Sequence, residues 1–177
     1  FSAKDTITTK KLIAKEGITT DKLENKGTVA TNKNLNINKD LINSGNIQAV
    51  GKISVTENTD NKGEILTNSS FSSKDTLSTK KLIAKDGISV AKLENSGMVA
   101  TDKKLDIKGN LINKGELQAI GNIVVSGNVN NSGEILTNNS FSAKDTITTK
   151  KLIAKEGIFV NNLENFGTVA TNKNLNI

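Results

Sequence analysis

The side chains in this sequence that are able to do acid–base chemistry are 18 carboxylates and 24 lysines, with no histidine and no cysteine among 177 residues. Cleavage of a polysaccharide asks for carboxylates that converge on one bond, commonly with a lysine or a metal beside them. The acids here, for example Asp5, Glu16, Glu24, Glu57, Asp60 and Glu64, sit among turn formers, and most return 70 residues later, as Asp75, Asp86, Glu94 and Glu134 show. A catalytic centre is normally a single place, whereas a solvated face recurs with the chain, so the recurrence argues against an enzyme. The stretch TDNKGE at 59–64 has some of the residues of a calcium loop but not the spacing of its ligands, and it reads as a turn with Asn61 indoors. Without Cys or His there is no thiolate or imidazole metal site and no disulfide, and the expectation is no cofactor and no metal.

Charge and aromatic content narrow the partners. The net charge is +6, but the lysines alternate with Asp and Glu instead of forming blocks. Aromatic residues make up 3% and arginine is absent, which removes the stacking platforms and guanidinium forks that read bases; nucleic acid is not an expected partner. No run approaches the roughly 18 apolar residues of a membrane-spanning helix. The sequence opens at Phe1 with no Met and no leader, and reads as a fragment of a longer chain.

What positions these residues is repetition. FSAKDTITTKKLIAKEGI at 1–18 returns as FSSKDTLSTKKLIAKDGI at 71–88 and again at 141–158, so 1–177 reads as one segment of 70-residue repeats: 1–70, 71–140 and a partial 141–177. Within each repeat, aliphatic residues fall about every six positions, each with an apolar or small partner two places on. That is the period-two mark of short strands separated by turns. Asn-x-Gly beats a slower time. It occurs at Asn25, Asn43, Asn61, Asn95, Asn113, Asn131 and Asn165, in steps of 18, 18, 34, 18, 18 and 34 residues, the long step being one coil of 18 and one of 16.

Three strands per coil of about 18 residues, with about ten coils in all, predict an all-β parallel β-helix, a solenoid whose coils bury one another's apolar faces. The inward pairs sort into three sheets: Leu23/Asn25 and its equivalents, Val29/Thr31 or Ile47/Ala49 and theirs, Leu35/Ile37 or Phe71/Ser73 and theirs. The seven Asn form the one polar line indoors and read as a structural ladder. Right-handed winding is expected because the small residue comes two after the aliphatic one and a 16-residue coil is tolerated. A left-handed β-helix, which keeps its coils strictly and places the small residue two before, is the alternative.

LINSGNIQAVGKISV at 41–55 and LINKGELQAIGNIVV at 111–125 resemble the L-x-N-x-G-x-I-x-A-x-G-x-I-x-V repeats of filamentous haemagglutinin-like adhesins. These are large secreted bacterial exoproteins, typically exported by two-partner secretion, with relatives among contact-dependent inhibition proteins and autotransporter passengers. The resemblance covers the whole chain; the coils at Phe1, Phe71 and Phe141 depart from it by lacking Asn-x-Gly, and no secretion domain is present. It implies a right-handed parallel β-helix on the bacterial surface or secreted, associated with the outer membrane. It implies virulence-related cell adhesion as the role, an outer-membrane transporter met during export, a host or bacterial surface receptor, and neighbouring coils of the same chain as partners.

Two surface features are candidates for contact. The outward positions of the second sheet carry Ile13, Leu66, Ile83, Leu136 and Ile153, an aliphatic stripe flanked by Lys10-Lys11, Lys80-Lys81 and Lys150-Lys151. It reads either as a partner surface or as the ordinary preference of strands for such residues. Phe159 and Phe166 replace the Thr19 and Lys26 of the first copy; both are expected to face outward and to pack together. The open ladders of the end coils predict end-to-end stacking or fraying.

Overall fold

A computed structural model describes residues 1–177 as eighteen strands without a helix, and its strand pairs are parallel throughout. The chain winds as a β-solenoid of ten coils, in which each strand pairs with its equivalent one coil on. At about 4.8 Å per coil the stack is about 48 Å long. The first sheet runs in ten rungs from Ile7 through Leu23, Leu41 and Thr59 to Leu163. The second runs from Leu12 to Val169 and the third from Ile18 to Leu175. These are the three inward sets expected from the spacing, with Ile147 and Thr149 completing the first beside Val129 and Asn131.

The six-residue beat becomes a triangular cross-section because each strand buries its alternate side chains and turns before a third can follow. The typical burial pattern of a three-residue strand is buried, half-buried, buried, as in Leu35–Ile37 and Ile53–Val55. The result is one column of 35 buried hydrophobic residues. Phe71 and Phe141 lie in it fully buried, each with a small partner, Ser73 or Ala143, which keeps the layer's volume even. At the two ends the column thins: Ile7, Leu12, Leu163 and Val169 are only partly covered.

The short coil is absorbed entirely in corners. Leu77 to Leu93 takes 16 residues where Leu41 to Thr59 takes 18. One residue is dropped where Asn61 to Ile65 becomes Thr79 to Leu82, and one where Val55 to Thr59 becomes Val90 to Leu93. The ladder shifts register at those corners and every inward pair stays in phase. A deletion inside a strand would instead have turned its core side out.

The Asn-x-Gly corner requires glycine for close approach. A methyl group on Gly45 would lie 2.0 Å from the Gly27 carbonyl oxygen, and one on Gly63 would lie 2.0 Å from that of Gly45. The backbones stack there with no room between them. At Thr59 the core carries a flaw: its buried hydroxyl has no hydrogen-bond partner, in a row where the second copy has Val129.

Two substitutions test this account by urea unfolding. Gly45→Ala should destabilise the chain by about 1–3 kcal/mol through overpacking, whereas Gly17→Ala, with 3.1 Å to its nearest neighbour, should cost less. Thr59→Val should stabilise it by about 1 kcal/mol, since an unpaired buried hydroxyl is replaced by a methyl of the same shape.

Candidate functional surfaces

The Asn line indoors is a pair of short ladders. The Asn25 amide Nδ2 donates to Asn43 Oδ1 at 2.8 Å, Asn43 to Asn61 at 2.7 Å, and Asn61 to the Thr79 hydroxyl at 2.9 Å. The second set repeats this from Asn95 through Asn113 and Asn131 to Thr149. Each of the first two amides in a set also donates to the carbonyl of its own corner glycine and to a backbone carbonyl one coil on. For Asn43 these are Gly45 and Glu64, and its Oδ1 accepts the Gly45 N–H. Buried polar groups that satisfy one another this fully are structural. Two corrections to the sequence reading follow. The line is interrupted, because threonine in the short coil accepts a bond and passes none to the next Asn. Asn165 keeps only its corner bonds to Gly167 and is exposed, since the ladder bond needs a coil beyond it.

The outer face of the second sheet gathers the aliphatic candidates. Registered pairs bring Gln48 onto Leu66, Leu66 onto Ile83 and Leu136 onto Ile153. Leu66, Ile83, Leu136 and Ile153 are half-buried by one another and Ile13 is 64% exposed. Beside the row, at the corner that follows, stand Val50 and Ile120, each more than half exposed. Sequence sorting missed these two because they lie outside the strands; their signal is their place in QAVGK and QAIGN, 70 residues apart.

Two shallow grooves run along this face, of about 410 Å³ over Ala30, Gln48, Val50 and Leu66 and about 290 Å³ over Ala100, Gln118, Ile120 and Leu136. They are one site presented twice, since nine of the eleven residues that line the first have their counterpart 70 places on in the second, and the other two, Ile83 and Lys85, border both. Small alanines form the floor and the larger side chains form the walls.

Phe159 and Phe166 both face outward, but they do not meet. Phe159 lies on the third sheet, in register with Ser142 and Asn176, its ring lying against Gly157. Phe166 is the middle residue of the corner between the first and second sheets, 77% exposed, above Lys150 and Lys151. In a triangular section that corner is opposite the third sheet, so seven residues of separation place the rings on different faces.

Eight lysines and eight acids are held in ion pairs. Five of eight ion pairs join one coil to the next: Glu16 with Lys33, Asp21 with Lys39, Glu64 with Lys81, Glu134 with Lys151 and Glu156 with Lys173. One lysine of each of the pairs at 80–81 and 150–151 is thereby engaged. Within a coil, Lys22 reaches Glu24 at 2.8 Å. That hydrogen bond and its charge hold the Glu24 carboxyl below its ordinary range and the Lys22 ammonium above its own. The carboxylate's contribution is lost as pH falls through the lowered value and the ammonium's as pH rises through the raised one, so the pair persists across the neutral range. Exposed pairs of this kind contribute little each. The acids are distributed along the rod, and no three of them come together in a cluster suited to a metal ion.

Compared with known proteins, the chain matches no family model, no curated protein and no solved structure.

The separation of the two phenylalanines has a measurable consequence. Phe166→Lys, which restores the first copy's residue, should leave stability within about 0.5 kcal/mol, and Phe159→Thr should cost more because its ring covers backbone. Their effects on the denaturation midpoint should add, as expected for sites without a shared contact. A non-additive double variant would return the rings to one cluster.

Proposed function

We propose that this chain is a rod segment of a large secreted bacterial adhesin, a right-handed β-helix that projects or carries binding modules away from the cell surface. The observation that supports this most is the constancy of the cross-section: the core column, the amide ladders and the inter-coil ion pairs recur without a unique site anywhere along the rod. Such a chain is specialised in shape. Zero cysteines suit passage through an outer-membrane transporter in an unfolded state, followed by folding outside from one end, coil upon coil. The resemblance of LINSGNIQAVGKISV to filamentous haemagglutinin-like repeats carries the adhesin part of the reading.

A second reading has its own observation. The twin grooves on the second sheet give a recurring apolar surface, and on this reading they contact a host or bacterial receptor directly. Deletion of residues 71–140 separates the two. Phe141 then takes the place of Phe71 and the register is preserved, so a rod shorter by four coils, about 19 Å, should be seen by small-angle scattering. In a parent protein, adhesion that survives the deletion identifies scaffold. Adhesion lost on polar substitution of Leu66, Ile83 and Leu136, with folding intact, identifies a receptor surface.

A further inference from the structure

The outer face of the second sheet orders its side chains by size and chemistry. Coil by coil the outward positions read Ile-Ala-Gln-Leu, from Ile13 to Leu66 and again from Ile83 to Leu136, before Ile153 begins a third set. We propose that this face seats a second copy of the chain, laid antiparallel about a two-fold axis that crosses the rod at Ile83. Turning the row over at Ile83 sets Leu66 against the second copy's Ala100, Gln48 against its Gln118, Ala30 against its Leu136 and Ile13 against its Ile153. Large meets small, amide meets amide, and the ends meet apolar on apolar.

Other phases of the same row fail in a specific way. Parallel pairing without offset leaves Ala facing Ala two coils from Leu facing Leu, a hole and a clash in the same row. Antiparallel phases shifted by one, two or three coils set the glutamine amides against Ala, Ile or Leu, where they are unpaired on burial. In the proposed phase the amides are complementary. Gln118 donates its Nε2 to the Glu116 carboxylate, which leaves its Oε1 to accept from the second copy's Gln48.

The grooves supply the matching relief. The one over Ala30 and Gln48 takes Leu136 of the second copy, and the one over Ala100 and Gln118 takes Leu66. At the corner, Val50 and Ile120, both exposed, face each other across the join. Where the axis crosses the rod, Lys81 and Lys85 each face their own counterpart, and acids one coil away offset that repulsion. Lys85 comes within one coil of the second copy's Asp102. Lys81, paired with its own Glu64, comes within one coil of the second copy's Glu64.

Nine coils of this face by the five residues from Lys11 to Lys15 cover about 500 Å² on each copy, about 1,000 Å² in total, the lower bound for a specific interface. Association of two 177-residue chains over so small a face is therefore weak. The inference is independent of the adhesin reading, because it rests on the fold and the order of one row.

The absence of native cysteine makes the test direct. In the intact 177-residue chain, Ile83→Cys should link to itself with a short bismaleimide. Gln48→Cys and Gln118→Cys should link to each other when mixed, and neither should link to itself. Equilibrium sedimentation should show dimers weakened about tenfold or more by Leu136→Asp, which buries an unpaired charge at the join, with an unchanged circular dichroism spectrum. A chain that stays monomeric at about 1 mM overturns the proposal. So does Gln48→Cys linking to itself, which means parallel pairing, and so does association insensitive to Leu136→Asp, which means contact through the rod ends.

Discussion

Everything in this molecule follows from one spacing, the distance between parallel backbones that hydrogen-bond one coil apart. The structure holds 120 backbone hydrogen bonds, and those of the ladders point along the rod. A coil therefore has to present to the next the same triangle that it received. Most inward places on the triangle are held against their own kind, so aliphatics stack on aliphatics and Asn25 on Asn43, and at the corner Gly45 lies between Gly27 and Gly63. The corner glycines show the constraint in its hardest form, since a single methyl group there would occupy the neighbouring carbonyl.

The same spacing explains a composition that looks too polar for a folded chain, with 34% hydrophobic residues. A narrow triangle encloses only about two side chains per strand, and the remaining residues are wet by necessity. Polar groups that do enter find partners along the axis or at their own corner. Asn25 and Asn43 donate along the axis and hold their own corners at the same time. Thr59 enters without such a use, and its hydroxyl is stranded.

Much of this was legible in the sequence because a solenoid writes its architecture as a period. The beat of six, the Asn-x-Gly steps and the 70-residue recurrence were enough to sort Leu23, Val29 and Leu35 into three sheets and to pair them with the right residues of the next coil. Periodicity says less about anything that happens at a corner. It did not reveal that the 16-residue coil loses one residue at each of two different turns, nor that Val50 and Ile120 stand beside the outward stripe. It also brought Phe159 and Phe166 together on grounds of closeness along the chain, where the triangle sends seven residues from one face to the opposite corner. Thr79 and Thr149 were visible as departures from Asn, but their role as the closing acceptors depends on hydrogen-bond direction, which no pattern of residue types contains.

Each of those two threonines follows a buried phenylalanine and opens the 16-residue step that holds both shortened corners, so the departures from regularity are gathered in one short stretch of each set of four. Each set of four begins and ends in the same chemical state, with no amide bond passed across the seam. Residues 1–18 and 141–158 are identical, and an exchange between misaligned copies at that seam would rejoin the chain in frame with its core unbroken. The unit in which the gene can be lengthened or shortened thus coincides with the unit in which the polypeptide is complete. Reach becomes a quantity that duplication and loss can adjust without redesigning a single contact.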